Sequence, residues 1–416
     1  MKAKFLLISL AVAFFTATQD ARAADENNCM ACHAKLMKKY STPVKLYSRD
    51  IHSQVGLICS DCHGGDPSRE RRHDRNDPAQ QFLGAPGAEQ IPAFCDRCHG
   101  NTSYMRGFNP ALPVDQLVKY RTSRHGQLLL GKGDTRAANC VSCHSVHDIY
   151  QAGDPGSSVY DTNIPKTCAG CHSDKEYMAG YSIPTDQYTE YAASVHGAAL
   201  LERGDVGAPA CNDCHGNHGA VPVEVADIFQ VCGMCHVNNE RLYRESFHSS
   251  IFEELEMPGC ETCHGNHAVA RPDESMLGAG DNSACGKCHE QSEDDPGFAL
   301  GLNMKKELDS LSISLISTSR LVESAGQQGM EISELSLNLR DIRQSLIKSR
   351  TAVHTFDDIA VADLTREGIE LAAQVAQSAR KLLAEHGKRR WWLGGATLVL
   401  LAMILALYLK LRAIEK

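Results

Sequence analysis

The segment CNDCHGNH, residues 211–218, contains the motif around which this chain is built. It holds two cysteines three positions apart, a histidine directly after the second cysteine, and another histidine three residues later. Its Cys-x-x-Cys-His core occurs nine times in the first 290 of 416 residues and uses all 18 cysteines. Because no thiol is left over, one chemistry must account for every cysteine.

Nine such motifs predict covalent haem. Two thiols at this spacing share one helical turn, where each can add to a vinyl group of one haem, and the adjoining histidine reaches the iron as proximal ligand. Zinc ribbons need paired motifs and disulfide frameworks need no histidine after each one, so neither explains nine complete copies. The predicted attachment residues are Cys29, Cys32, Cys59, Cys62, Cys95, Cys98, Cys140, Cys143, Cys168, Cys171, Cys211, Cys214, Cys232, Cys235, Cys260, Cys263, Cys285 and Cys288. The predicted proximal ligands are His33, His63, His99, His144, His172, His215, His236, His264 and His289.

Over about residues 25–295 the chain therefore resembles the multihaem c-type cytochromes. The motif count predicts nine covalently bound haem c groups, numbered first to ninth in chain order. Aromatic residues form only 6% of the chain, so porphyrins are expected to fill the core in their place. A fold built in this way is expected to collapse without its cofactor.

Residues 1–23 have the pattern of a secretory signal peptide. Lys2 and Lys4 begin it, an apolar run covers 5–17, and Ala21-Arg22-Ala23 forms a cleavage site. The alternative is an N-terminal membrane anchor, for which the apolar run is short. Export agrees with the resemblance, which implies that haem is attached after translocation.

A second apolar run, Trp391–Leu409, has 19 residues without a charge, enough to cross a bilayer once. Trp391, Trp392 and Tyr408 lie at its ends, as interfacial residues do. The alternative is a buried core helix. Basic residues flank both ends, so the export of the haem domain must choose the orientation. We expect an inner-membrane helix over residues 389–410, a haem domain in the periplasm and a cytoplasmic tail over 411–416.

The motifs repeat as modules of two haems. A lone haem in residues 24–48 precedes modules 1 to 4, which cover 49–115, 116–185, 186–243 and 244–297, within a haem domain of residues 24–297. Each module has one histidine before its first motif, the upstream histidine, and one after it, the downstream histidine. Histidines that repeat in register are predicted to be distal ligands rather than surface residues. They are His52 and His73, His125 and His147, His196 and His218, and His248 and His267.

The geometry of the motif separates the two kinds of histidine. A histidine three residues beyond the proximal one lies on a different side of the helical turn and cannot reach the same porphyrin. We therefore expect the downstream histidines to serve neighbouring haems. The spacing of His73 departs from that of the other three modules.

The first haem, at His33, belongs to no module. Its sixth ligand could be Met37 or another methionine, or a histidine from far along the chain, or the position could be open.

Residues 298–388 lack cysteine and show heptad-spaced apolar residues. Natural breaks at 325–329 and 355–358 predict three helices, and hence a bundle whose last helix continues into the membrane helix. The turn at 353–358 would return to the haems and carries His354, which is expected to ligate a haem that lacks a distal partner. The alternative is a solvated turn histidine, and His386 stays unused.

The bundle followed by an anchor also resembles, in architecture, the octahaem hydroxylamine oxidoreductase group. The chain has no Cys-x-x-Cys-Lys motif of the kind that pentahaem nitrite reductases use. In sum, the patterns predict a mainly α fold with much irregular loop: a haem-packed multihaem cytochrome domain, an α-helical bundle and one C-terminal transmembrane helix.

Three functions remain open. Haems with two histidine ligands have no vacant position, which predicts a membrane-tethered electron carrier between the quinone pool or a membrane redox complex and periplasmic acceptors in anaerobic respiration. The second is a multihaem reductase or oxidoreductase of small nitrogen or sulfur oxyanions at a five-coordinate first haem. The third is a redox sensor or scaffold.

The charge of the chain narrows the choice of partner. A net charge of −9 before the haem propionates excludes nucleic acid as a plausible partner. Redox proteins fit better. An integral quinol-oxidising subunit could supply the electrons, because the small quinol-oxidising cytochromes are anchored by an N-terminal helix, whereas this chain is expected to be anchored by its C-terminus. Self-association through the helical tail stays open.

Overall fold

The structure is a computed structural model that describes residues 28–69, 81–223, 228–278, 280, 283–292 and 294–414. The signal peptide, His73 and the last two residues of the cytoplasmic tail lie outside the described residues. The chain divides into two compact units: the first comprises Met1–Ile183 and Ala210–Pro222, the second Pro184–Pro209 and Val223–Lys416.

In the first unit, short helices carry the Cys-x-x-Cys-His motifs, because the two thiols must share one turn. The motif helices are Asn28–His33, Cys59–His63, Ile91–His99, Cys140–His144, Ile164–His172 and Cys211–His215. Between them lie Lys38–Tyr47, Ile51–Gln54, Thr102–Met105, Gln116–Thr122, Arg124–Gly126 and Lys175–Met178, with a 3-10 turn at Ala88–Gln90 and a π-helical turn at Gln127–Gly131.

The second unit continues the same pattern and ends in long helices. Its motifs lie on Ile228–Gly233, Gly259–His264 and a 3-10 turn at Cys285–Lys287. The intervening elements are Gln187–Ala193, Val195–Gly197, Val237–Arg244 and Phe247–Glu254, with a π-helical turn at Ala198–Glu202 and a 3-10 turn at Glu274–Met276.

The residue after the proximal histidine ends the helix at the first motif of every module. Gly64, Ser145, Gly216 and Gly265 have φ angles of 66°, 64°, 80° and 73° there, in the left-handed region that stops a helix. At the second motif of module 1, by contrast, Gly100 has φ −85°. This turn directs the downstream histidine away from its own motif.

Three helices form the tail: the first bundle helix Pro296–Gln327, the second Ser333–Ala352 and the third Asp358–Ile414. The first runs through Gly326 and ends at Gln327, inside the predicted break, and Gly329 takes φ 74° just beyond. Their core is apolar and includes Leu308, Leu311, Ile342, Val361 and Val375, each at most 2% exposed. Gly368 lets the third helix approach Leu311 closely.

The third bundle helix continues unbroken past the bundle into the apolar run. Among the described residues it is the one helix long and apolar enough to cross a membrane, and none of that stretch is buried inside the protein. The described residues contain no β-strand, only an isolated bridge between Gly64 and Phe82. The prediction of a mainly α chain with a helical bundle and one apolar C-terminal helix is confirmed.

Candidate haem sites

Histidine rings meet in pairs throughout the described haem domain. Each of seven pairs joins one predicted proximal ligand to one predicted distal ligand. In the first unit the pairs and their centroid separations are His52–His99 at 6.0 Å, His63–His147 at 6.0 Å, His125–His172 at 6.1 Å and His144–His218 at 6.1 Å. In the second unit they are His196–His236 at 6.3 Å, His248–His289 at 6.1 Å and His264–His354 at 6.0 Å.

These separations match what one metal ion between two imidazoles requires. Two metal–nitrogen bonds of about 2 Å, together with the radii of the two rings, put the centroids roughly 6 Å apart. Rings stacked directly on one another would be closer. The residues present therefore fit an iron porphyrin whose two axial positions are both taken by histidine.

The pairs follow two rules. An upstream histidine faces the proximal histidine of the second motif in its own module, as His52 faces His99. A downstream histidine faces the first motif of the preceding module, as His147 faces His63. Modules 2 and 3 are thereby interlocked with the modules before them, since His147 and His218 each complete a site there.

Backbone hydrogen bonds repeat with the same register. The residue just before an upstream histidine donates its amide to the carbonyl two residues beyond the downstream histidine of the next module. The three bonds are Ile51 N to Ile149 O at 2.7 Å, Arg124 N to Ala220 O at 2.9 Å and Val195 N to Val269 O at 2.9 Å. These bonds hold the loop that carries each downstream histidine against the preceding module.

The turn between the second and third bundle helices places a histidine opposite the first motif of module 4. His354 lies on this turn, Val353–Thr355, and faces His264 with the ring planes 23° apart. Phe356 follows at φ 53° and stacks on His248 with ring centroids 3.9 Å apart. One turn of the bundle thus contacts the histidine pairs of both the eighth and the ninth haem.

The protein holds one ring nitrogen of many of these histidines and leaves the other for a metal. The Nδ1 atoms that are held in this way, with their partners, are His52 on Asp50 Oδ1 at 2.8 Å, His63 on Gly84 O at 3.0 Å, His215 on Val221 O at 3.1 Å, His289 on Asp295 Oδ1 at 3.0 Å and His354 on Thr351 O at 3.0 Å. Such a bond fixes both the tautomer and the ring orientation, and leaves Nε2 to coordinate iron.

His248 is the exception that points to a missing group. Its Nδ1 is buried and has no hydrogen-bond partner among the described residues, although the ring faces His289. A buried orphan nitrogen calls for an explanation. Coordination of a metal through this Nδ1 would supply one, in which case His248 would use the other ring nitrogen from the histidines above.

Burial also favours the ligand form of the histidines. Desolvation lowers the pKa of ten of them, so their imidazoles are neutral near neutral pH, the form that binds a metal. They are His99, His125, His144, His147, His172, His196, His218, His248, His264 and His354.

The attachment thiols of successive haems lie side by side. The side chains of Cys95 and Cys140 are hydrogen-bonded, which raises the pKa of the Cys95 thiol above its ordinary value. The same contact joins Cys168 to Cys211 and Cys232 to Cys260. Each contact links the second motif of one module to the first motif of the next, so the porphyrin edges attached there would be close neighbours.

Comparison with known proteins agrees with this geometry. Residues 51–173 match the family model described as cytochrome c3. The matched segment covers less than a third of the chain and includes the second to fifth motifs. Its similarity to cytochrome c3 supports a multihaem c-type cytochrome with covalently bound haem and a role in electron transport. No curated protein and no solved structure matches the chain.

A repeated tyrosine escaped the sequence analysis. Tyr47, Tyr120, Tyr191 and Tyr243 each lie five residues before an upstream histidine, so a Tyr-x4-His pattern accompanies the upstream histidine of all four modules. The first three donate their hydroxyl to a carbonyl two residues before the first cysteine of the motif: Leu57 O at 2.8 Å, Ala138 O at 2.7 Å and Pro209 O at 2.8 Å. Within the first unit, the bonds from Tyr47 and Tyr120 fix the upstream histidine relative to the motif of its own module. Burial raises the pKa of Tyr120 to about 12, so the phenol stays a donor.

For His33, Met37 and His267 the roles as ligands stay predictions. His33 has the Tyr40 ring edge-on at 6.0 Å, while the Met37 side chain is 75% exposed. The Nδ1 atom of His267 lies 3.9 Å from Glu190 Oε2. The alternatives for the sixth ligand of the first haem thus stay open.

Proposed function

We propose that this protein is a membrane-tethered nine-haem conduit that carries electrons between the quinone pool, or a membrane complex that oxidises quinol, and periplasmic acceptors in anaerobic respiration. The observation that carries the proposal is the seven histidine pairs at 6.0–6.3 Å. A haem with a histidine on each side has no position for a substrate, so it supplies one-electron exchange at a potential lower than that of a His/Met haem.

The chain's own residues do three things for this function. The cysteine pairs would fix the porphyrins through thioether bonds, and the adjacency of the Cys95 and Cys140, Cys168 and Cys211, and Cys232 and Cys260 side chains would keep neighbouring edges close within each unit. The proximal and distal histidines would hold the iron from both sides and so exclude water and substrate. The interlocking of modules prevents one site from opening without disturbing the next.

The tail argues for a protein electron donor rather than quinol itself. The third bundle helix runs 33 residues from Asp358 to Arg390 before the apolar run begins. At about 1.5 Å per residue this is about 50 Å, and the ordinary tilt of a membrane helix shortens its height only slightly. We call residues 358–390 the stalk, and the eighth and ninth haems would lie at its end away from the apolar run. The distance from the bilayer to these haems is too long for direct electron transfer. A redox protein, or an integral quinol-oxidising subunit with its own projecting domain, would carry the electrons over that distance.

The second candidate is an enzyme at the first haem, reducing a small nitrogen or sulfur oxyanion there. The observation that favours it is the pair of side chains beside His33: the Tyr40 ring at 6.0 Å, with Lys39 Nζ 5.8 Å from that ring. Phenol and ammonium groups are the kind that assist chemistry at a vacant iron.

Low-temperature EPR of the oxidised, purified protein separates the two candidates. The conduit predicts low-spin ferric signals throughout and no change when nitrite or hydroxylamine is added. A high-spin ferric signal that these ligands perturb would favour the enzyme. Intact mass and a pyridine haemochrome assay test the premise of nine attached haems, which a smaller count would contradict.

A further inference from the structure

We propose that two carboxylates, Asp50 and Asp295, lower the reduction potentials of the third and ninth haems. The inference deepens the proposed function and rests on it, since it takes the His52–His99 and His248–His289 pairs as axial ligands. Both carboxylates bind the Nδ1 atom of a histidine in these pairs. They are positioning residues, because they would act on the iron through the imidazole.

Asp50 is buried, only 1% exposed, and its carboxylate is held from three sides. Oδ1 accepts hydrogen bonds from His52 Nδ1 at 2.8 Å and from the His52 amide at 2.9 Å. Oδ2 accepts one from the Ile149 amide at 2.9 Å, in the loop of the next module. The carboxylate therefore cannot swing away from the imidazole.

Asp295, in the second unit, plays the same part beside the last Cys-x-x-Cys-His motif of the chain. Its Oδ1 accepts hydrogen bonds from His289 Nδ1 at 3.0 Å and from the amides of Gly297 at 2.9 Å and Phe298 at 3.0 Å. The last two bonds cap the first bundle helix. One carboxylate thus joins the ninth haem site to the start of the bundle.

A carboxylate differs from a carbonyl as a partner of a ligand histidine. It attracts the Nδ1 proton strongly, which makes the imidazole more basic and more anionic, and this stabilises ferric iron relative to ferrous iron. The second and eighth haem sites have neutral partners at the same position, since His63 binds Gly84 O and His354 binds Thr351 O. Some ligand histidines of this chain therefore have a carboxylate partner and others a carbonyl partner. The haems whose histidine has a carboxylate partner should have the lower reduction potentials.

The repeat itself singles out Asp50. The position two residues before the upstream histidine is serine in the other three modules: Ser123, Ser194 and Ser246. The hydroxyls of Ser123 and Ser194 accept from the amides of Gly126 at 2.9 Å and Gly197 at 3.0 Å. Both serines cap a short helix, and at this position of the repeat only module 1 has an acidic residue.

The test is a redox titration of the detergent-solubilised holoprotein, followed by EPR, with Asp50→Asn and Asp295→Asn. Asparagine still caps a helix, so the substitution removes mainly the charge. Each variant should shift one low-potential component upward, change the g values of one low-spin haem and leave the other haems unchanged. Asp174→Asn is the control: Asp174 caps a helix beside the fifth haem motif through the Glu176 and Tyr177 amides, and it should leave the curve unchanged.

The reciprocal variant Ser123→Asp adds a carboxylate instead of removing one, so the proposal can still be tested if an aspartate variant fails to fold. It should lower the potential of the fifth haem, whose distal ligand would be His125. Titration curves and g values that match the unmodified protein in all three variants, with nine low-spin haems retained, would overturn the proposal and leave the conduit standing. High-spin iron in the unmodified protein would instead contradict the proposed function.

Discussion

His354 and His264 face one another with ring centroids 6.0 Å apart and ring planes 23° from parallel. The two residues belong to different parts of the chain, the bundle turn and the last two-haem module. Within modules 1 and 2 the same role falls to histidines of the following module, as His218 faces His144. Module 4 has no successor, so the bundle supplies the histidine that ends the series.

Replacing His354 with alanine should therefore leave the eighth haem with one axial histidine. We expect one low-spin signal to be lost and one high-spin signal to appear in the EPR spectrum, with all nine haems still attached. His386→Ala is the matched control, because His386 lies on the stalk beside the apolar run. An unchanged spectrum in His354→Ala would exclude its role as a ligand.

The cross-module pairing can be tested by deleting one haem. His147→Ala should produce a high-spin haem in the otherwise unmodified protein, because the second haem loses its distal ligand. In a background of Cys59→Ala and Cys62→Ala, which cannot attach that haem, the same substitution should add no high-spin signal. EPR of both proteins checks this.

A matched deletion shows whether His147 serves its own module instead. In a background of Cys140→Ala and Cys143→Ala, His147→Ala should still produce the high-spin signal. The opposite result in the two backgrounds would assign His147 to the fourth haem and refute the interlocking of modules.

Phe356 should matter both for its ring and for its backbone. Its ring stacks on His248 at 3.9 Å, and its φ of 53° is costly for a residue with a Cβ atom. Phe356→Ala and Phe356→Gly should both shift the g values of the ninth haem, because His248 loses its support. The glycine variant should be the more stable of the two by about 1 kcal/mol, as thermal unfolding will measure. Equal stability would contradict the backbone argument.

Two glycines of the third bundle helix should respond in opposite directions to alanine. A Cβ atom on Gly368 would lie 2.8 Å from Leu311 Cδ1 and 3.0 Å from Ser345 Cβ, whereas one on Gly387 would meet nothing within 4 Å. Gly368→Ala should destabilise the bundle by about 1–3 kcal/mol through overpacking. Gly387→Ala should stabilise the helix by roughly 0.5–1 kcal/mol. Denaturant unfolding followed by circular dichroism at the helix band checks both signs.

Removal of the apolar run should release the protein from the membrane without altering its haems. A chain ending at Gly387 keeps the buried residues of the bundle, the last of which is Ala379. We expect it in the soluble periplasmic fraction with the absorption and EPR spectra of the full chain. Retention in the membrane fraction would mean that another surface binds the bilayer or an integral partner.

Much of the site was accessible from the sequence because haem attachment is local chemistry. Two thiols and a histidine within one helical turn are sufficient to specify a site, and nine copies leave little doubt about the class of cofactor. The heptads and the uncharged run likewise predicted the bundle and the apolar C-terminal helix, because each depends only on periodicity. The Tyr-x4-His repeat was equally local but carried no chemistry that would mark it in advance.

The amino-acid sequence was enough to predict where haem would attach, which histidine lies next to each attachment site, and where the chain is apolar enough to enter a membrane. Which second histidine faces which first one is seen only in the folded chain, since such a pair joins residues far apart along the chain and depends on how each loop packs. The partners of Nδ1 were decided there as well. Asp50 is two residues from His52, yet only the packed orientation of the ring turns that proximity into a hydrogen bond, because a side chain's direction is set by everything that surrounds it.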